Sequence, residues 1–326
     1  MRAIVITRHG GPDVLRIQEL PDPIPADGEV LIRNKAFGLN RAELYMRDGS
    51  WGDLAPVPGI ECAGLVESDP SGWLATGTPV VAIMGGLGRT RNGSYAELVS
   101  VPADNVVPVQ TALSWTDLVA IPEVYAAAWS GLHSNLALQP FQSLLVRGAT
   151  SALGQAAVNI AAELGTTVLA TTRSPARVPL LHQIGAAEVL IDDGDLAEPI
   201  RARYADGVDA VLDLVGNPVL RDSLQCVHPH GRVCQMGFLG GHEPVCDFDL
   251  LVDLPSRVQL SFFASFVLGT PHFPLSDIPL TELIAKAEAG VYQAKPARVF
   301  AFDEIVDAHR TMESNSVVGK MVVRVP

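Results

Sequence analysis

The distribution of apolar and polar positions divides the chain into three stretches. Up to about residue 117 the apolar runs are short and broken by Gly and Pro, as in Glu29-Val30-Leu31-Ile32-Arg33 and Val80-Val81-Ala82-Ile83, a pattern that predicts an irregular β-rich domain. From about 118 to 265, apolar runs near 144–147, 167–172, 188–191, 209–214, 232–236 and 258–263 alternate with helical or mixed segments. Such alternation predicts six parallel strands in a doubly wound sheet. Beyond it, 279–289 and 302–314 read as helices and 320–325 as a last strand, a tail expected to return to the first domain. The expected fold is therefore α/β, with residues 1–117 and 266–326 in one domain, 118–265 in the other, and the site in the cleft between them.

The segment from Leu144 to Arg177 carries the most chemistry. Leu144-Leu145-Val146-Arg147 reads as a buried strand, Gly148 to Gly154 as a tight turn of small residues, and Gln155 to Leu164 as an Ala-rich helix. This is the pattern of a nucleotide-binding βαβ unit, because backbone N–H groups at a helix start must approach a pyrophosphate closely and bulky side chains would block them. Gly148 and Gly154 are kept, and Ser151 stands where a central glycine is usual. An ordinary strand-to-helix turn would share part of this pattern.

The next strand, 167–172, is more informative. An acidic residue roughly 20 residues after the glycines binds the ribose 2′-hydroxyl of NAD. Here the segment is Thr172-Arg173-Ser174-Pro175-Ala176-Arg177, without Asp or Glu. Arg173 and Arg177 can pair with a 2′-phosphate and Ser174 can donate to it, so the expected cofactor is NADP(H). Two solvated arginines capping a surface loop would read the same way.

Composition narrows the classes. The chain has 326 residues, 48% of them hydrophobic and 18% charged, which suits two folded domains. A formal net charge of −13 argues against nucleic acid as a principal partner. Cys62, Cys226, Cys234 and Cys246 have no close pairing, so neither a disulfide framework nor a zinc knuckle is expected. With no signal-peptide core at the start and no apolar run of membrane-spanning length, a cytoplasmic location is expected.

Several short motifs, in order and spacing, resemble the medium-chain dehydrogenase/reductases, and within them the zinc-free quinone oxidoreductases related to zeta-crystallin. They are Gly38-Leu39-Asn40-Arg41-Ala42-Glu43-Leu44-Tyr45 followed by Gly49, Pro58-Gly59-Ile60-Glu61-Cys62-Ala63-Gly64, Gly93-Ser94-Tyr95-Ala96-Glu97, Ile121-Pro122-Glu123, the loop Gly148 to Gly154, and Gly319-Lys320. The resemblance spans essentially the whole chain. It implies a GroES-like substrate domain built from both chain ends, a central Rossmann domain, NADPH between them and a homodimer. Edge pairing of the sixth strand, 258–263, is the expected dimer contact.

The same resemblance implies that catalytic zinc is absent. Zinc-dependent relatives place a cysteine where this chain has Asn40 and a histidine where it has Ile60, and the cysteine lobe for structural zinc is missing from 83–98. Gly241-His242-Glu243 spells a zinc motif in the wrong place, and His228 and His230 are expected on a surface loop. Without a Lewis acid, the substrate must already be electrophilic, as quinones and α,β-unsaturated carbonyls are.

Carried over residue by residue, the resemblance places Thr150, Ser151, Ala152, Leu153 and Gly154 on the pyrophosphate, with Thr172, Arg173, Ser174 and Arg177 at the 2′-phosphate end. Val215 borders the adenosine, Gly237, Phe238 and Leu239 approach the nicotinamide, and Asn315 with Lys320 closes the cofactor side. Tyr45 and Asn40 are the candidate catalytic groups: Tyr45 to donate a hydrogen bond or proton to the substrate, Asn40 to hold the ribose or carbonyl. Glu61 reads as structural; Phe262 and Phe263 read as pocket walls or as core. The expected function is NADPH-dependent reduction of quinones. An enone reductase with a dedicated metabolite, or an NADPH-binding protein with a structural or regulatory role, are the alternatives.

Overall fold

Six strands of one parallel sheet coincide with the six apolar runs in the computed structural model, which describes every residue from Met1 to Pro326. They are β1 (Ser143–Arg147), β2 (Thr167–Thr172), β3 (Glu188–Ile191), β4 (Val208–Asp213), β5 (Val227–Gln235) and β6 (Gln259–Phe262). Their spatial order is β3-β2-β1-β4-β5-β6, with every neighbouring pair parallel. The strand order reverses direction between β1 and β4, where open α/β sheets bind ligands beyond the carboxyl ends of their strands. Leu145, Leu169, Val211 and Val233, one from each central strand, are fully buried in the core of this sheet.

The helix after β1 runs over Ala152–Glu163, starting three residues before the expected Gln155. Ser151 explains the difference: its Oγ accepts from the Gly154 N–H at 3.0 Å, the geometry of an N-cap that lets a helix begin at the next residue. His228 and His230 also depart from expectation, lying within β5 rather than on a loop before it. His230 takes φ 74° there, and the pairing of β4 with β5 shifts register between Val208 and Ala210.

By contacts the chain divides into a unit of Val124–Ala264 with Val291–Gln293 and a unit of Met1–Glu123, Ser265–Gly290 and Ala294–Pro326. The first division thus falls after Glu123 rather than after residue 117, because the helical turn Trp115–Leu118 packs on the strands Glu29–Leu39 and Met321–Arg324. Val291–Gln293 joins the parallel-sheet unit through Tyr292, whose ring stacks on Tyr125 with centroids 5.3 Å apart.

The other unit is built on a seven-stranded sheet. The strand Glu29–Leu39 is its spine, pairing with Glu61–Ser68, with Leu98–Pro102 near its start and with Met321–Arg324 near its end. It continues well past the expected 29–33 and delivers the chain directly into Asn40 and the helix Arg41–Asp48. One core, around Phe37, Tyr95, Phe300, Phe302 and Val323, lies on this sheet, and another gathers Val30, Ile32, Cys62, Val80 and Val101. No helix of the chain is long and apolar enough to cross a membrane.

Candidate functional site

In the parallel-sheet unit, loops after β1, β4 and β5 converge on Gly148. Gly148 has φ 80°, and a Cβ there would lie 3.0 Å from Leu239 Cδ1 and 3.3 Å from Leu214 Cβ; glycine meets both the conformation and the crowding. Gly154 is equally constrained, since its Cβ would approach Ala149 Cα and the Gly148 carbonyl oxygen to 2.6 Å. Ser151 occupies the middle position by bonding inward, its Oγ donating to the Gly148 carbonyl at 2.9 Å while it caps the helix. Thr150 is held from the other side by Gln155 Nε2, 3.1 Å from its carbonyl oxygen. The N–H groups of Ala152 and Leu153, the first two of the helix, have no acceptor inside it and form the positive end of its dipole. These residues fit a phosphate-bearing cofactor.

Val215 and Gly216 donate their N–H groups to Asp213 Oδ1, both at 2.8 Å, and Leu239 N donates to the Leu214 carbonyl at 3.0 Å. A Cβ on Gly237 would meet that same carbonyl oxygen at 2.5 Å. Val215, Gly237, Phe238 and Leu239 are thus gathered at neighbouring strand ends, with the Phe238 ring 6.0 Å from that of Phe262. Phe262 is exposed and Phe263 buried. At the end of β2, Thr172 Oγ1 organises the turn, accepting from Ser174 N at 3.1 Å. Arg173 is exposed there with no carboxylate paired to it, and Ser174 and Arg177 are half-buried beside it in the sequence.

A residue that the sequence reading passed over fixes this loop. Arg147, the last residue of β1, is wholly buried and donates to both carboxylate oxygens of Asp192 at 3.0 Å, to Asp222 at 2.6 Å and to Ser223 at 3.0 Å. Burial opposes its charge, but the paired aspartates outweigh that and raise its pKa. Asp192 also accepts from Thr171 Oγ1, which in turn accepts from the Gly148 N–H. A charged residue closing an otherwise apolar strand was the available signal, since a buried guanidinium requires partners.

In the other unit, Asn40 stands just before the helix Arg41–Asp48, and its N–H donates to Glu43 Oε2 at 2.5 Å. Its side chain faces a buried cluster. The Lys320 ammonium donates to Asn40 Oδ1 at 2.6 Å and to Glu61 Oε1 at 2.5 Å, and Asn40 Nδ2 donates to Glu61 Oε1 at 3.1 Å. The second oxygen of Glu61 accepts from Glu123 N at 3.0 Å, and Glu123 accepts from Ser265 Oγ at 2.8 Å. Gly38 makes room: a Cβ there would lie 2.6 Å from Glu61 Cδ and 2.9 Å from Lys320 Cε. Burial pushes the Glu43 carboxyl up to about 8 against the pull of Lys320, and burial raises Glu123 as well.

Tyr45 is half-buried on the same helix, its ring 5.4 Å from that of Trp51. Lys320 and Asn315, expected together on the cofactor side, have different surroundings. Lys320 is buried in the cluster, whereas Asn315 is exposed at φ 51° and accepts from Arg41 Nη2. Ile60, at the expected histidine position, is a buried alkyl group, and no three His, Cys, Asp or Glu side chains gather in a metal-holding group.

Two family models match the chain: the alcohol dehydrogenase GroES-like domain over residues 26–111 and the zinc-binding dehydrogenase domain over residues 184–323. The quinone oxidoreductase of Rattus norvegicus is 31% identical over 99% of this chain and 97% of its own length. Among solved structures, a mycobacterial protein complexed with NADPH superposes with a TM-score of 0.87 at 26% identity, covering 99% of each chain. The CurK enoyl reductase superposes at 0.82 with 25% identity, covering 100% of this chain and 99% of its own. With a GroES-like unit, a Rossmann-type unit and a relative of this identity spanning the whole length, the chain belongs to the zeta-crystallin-like quinone oxidoreductase family of medium-chain dehydrogenase/reductases and is an oxidoreductase.

Proposed function

We propose that this protein uses NADPH to reduce quinones or related conjugated carbonyls without zinc. The observation that carries the reading is Lys320. Where a catalytic metal would need ligands, the chain offers an amide, a buried isoleucine and an ammonium already seated on Glu61. A fixed cation there repels a second one. The cofactor reading rests on Arg173, exposed at the end of β2 without a carboxylate partner, and on the NADPH held by the mycobacterial neighbour.

NADPH, when bound, supplies a hydride to the conjugated substrate. The N–H groups of Ala152 and Leu153 hold its pyrophosphate, while Arg173, with Ser174 and Arg177, holds the 2′-phosphate. Thr150, Gly154, Thr172 and Val215 shape the cofactor bed, and Gly237, Phe238 and Leu239 line its nicotinamide end. Tyr45 donates a hydrogen bond or proton to the oxygen that gains charge. Asn40 is a positioning residue, its amide fixed at both ends by Lys320 and Glu61.

The enoyl reductase among the structural neighbours favours a second reading, in which the substrate is an enone and proton donation by Tyr45 matters more. The chain also pairs with a second copy along β6, whose outer edge is open and whose Leu260 and Phe262 are exposed; light scattering should report a dimer, and a concentration-independent monomer would refute it. Unpaired cysteines, three of them buried, suit a reducing cytoplasm.

One assay tests the core of this reading. After dialysis against chelator, oxidation of NADPH and NADH is followed with a panel of quinones, enones and simple aldehydes, for the native chain and for Arg173→Ala. Activity should survive chelation. The substitution should raise KM for NADPH by about 10- to 150-fold, the range for one charge-assisted hydrogen bond, and hardly change KM for NADH. Loss of activity on chelation would overturn the zinc-free reading, equal losses for both cofactors the 2′-phosphate site, and absence of turnover the enzymatic reading itself.

A further inference from the structure

We infer that Arg89 is an anion-recognising substrate residue, and that the preferred substrates are planar conjugated carbonyl compounds bearing a carboxylate or similar anionic group. The inference deepens the proposed reductase function and rests on it for the identity of the reacting group. Arg89 ends a loop whose backbone is held in place: its N–H donates to the Gly86 carbonyl at 3.0 Å and its carbonyl accepts from Ala55 N at 3.0 Å. Met84, Gly85, Gly86 and Gly88 all take positive φ in this loop, and a Cβ on Gly88 would meet Gly59 N and Met46 Sδ at 3.1 Å. The arginine therefore projects from a tightly defined backbone.

Its guanidinium lies 5.2 Å from the centroid of Trp51 and 4.6 Å from that of Phe266. Two π faces stabilise the cation, but they do not satisfy its in-plane N–H donors. No carboxylate, carbonyl or hydroxyl does so either. By contrast Arg91, two residues on in the same loop, holds the carboxylate of Glu29 at 2.5 Å. Asp53, two residues after Trp51, lies beside His9 at 3.9 Å.

The surroundings are flat and half-open. Trp51 is 40% and Phe266 49% exposed, and Trp51 in turn neighbours Tyr45, the proposed hydrogen-bond donor to substrate. A guanidinium held by aromatic rings with its edge unpaired matches a carboxylate, which it binds through two parallel hydrogen bonds. The adjacent rings match a planar, conjugated body.

The experiment compares 2-naphthoate with its neutral isostere 2-naphthamide by titration calorimetry on the full chain, for the native protein, Arg89→Met and Arg89→Lys. The native protein should bind 2-naphthoate at least about 10-fold more tightly than 2-naphthamide, the gain expected of one charge-assisted contact. Arg89→Met should abolish that preference and leave 2-naphthamide binding unchanged, while Arg89→Lys keeps part of it. No preference in the native protein, or a preference that survives Arg89→Met, overturns the inference. In parallel, KM for 3-benzoylacrylate should rise by about 10-fold or more in Arg89→Met, with KM for its methyl ester unaffected. If the native chain reduces neither compound, the proposed reductase function fails, and the calorimetric preference still decides whether Arg89 binds anions.

Discussion

Arg147 in one unit and Lys320 in the other are both buried against carboxylates, and the two arrangements differ in how their charge is settled. Arg147 closes β1 with its guanidinium edge-on to Asp192, its other donors on Asp222, Ser223 and backbone carbonyls. Lys320 brings a single ammonium to Glu61 and Asn40, with Glu43 and Glu123 close enough that its charge pulls on both. The arginine site has fixed partners for nearly every donor. The lysine site has carboxyls to spare, and burial raises two of them toward their neutral form. One is a clamp of fixed hydrogen bonds; in the other, burial favours the neutral form of two neighbouring carboxyls.

Removing each cation should therefore have unequal consequences. Arg147→Met strands aspartates in place around the end of β1 and should cost about 3–5 kcal/mol, the range for breaking a buried ion pair from one side. Lys320→Met should cost less, because it strands one paired carboxylate, Glu61, where Arg147 holds both Asp192 and Asp222. Chemical denaturation of both variants at pH 7 checks the order. A larger loss at Lys320 than at Arg147 would break the contrast.

A smaller effect separates the clusters by pH. The folded pKa of Glu43, about 8, lies above its ordinary value of 4.5, so the folded state binds the extra proton and stability from this group is present at low pH and lost as pH rises toward 8. His309 works the other way. Burial first, and then Arg47, lower it from 6.5 to about 3, so its contribution grows with pH and is complete above 6.5. Between pH 6.5 and 8 His309 no longer contributes, and Glu43→Gln should remove roughly 1 kcal/mol per pH unit of the remaining slope. Denaturation midpoints across that window with an unchanged slope in Glu43→Gln would show that Glu43 stays ionised.

The same contrast explains what could be read from the sequence. The six parallel strands were legible because runs such as Leu144-Leu145-Val146 and Val168-Leu169-Ala170 are buried on both faces, so almost every position repeats the signal. The phosphate loop was legible because Gly148 and Gly154 are required by crowding within a few residues of each other. Ser151 was visible as a departure, but its meaning as a helix cap depended on where the helix began. The lysine cluster joins residues 40, 43, 61, 123 and 320, and no local pattern links Lys320 to Glu61 across 259 positions. The sequence therefore places Lys320 with Asn315 on the cofactor side without showing its pairing with Glu61. Arg89 went unread for a related reason: its two rings, Trp51 and Phe266, come from distant loops without periodicity.

The place of Met321–Arg324 between Arg298–Ala301 and Glu29–Leu39 bears on how the chain is made. During synthesis the parallel sheet, complete by residue 262, emerges and can fold while the opposite sheet still lacks two of its strands. The strand Glu29–Leu39 must wait for Met321–Arg324 before its sheet closes, with its open side available meanwhile to any other strand. Lys320 arrives in that final stretch, so the segment that completes the sheet also neutralises Glu61. Until that stretch is made, Glu61 has no ammonium to pair with.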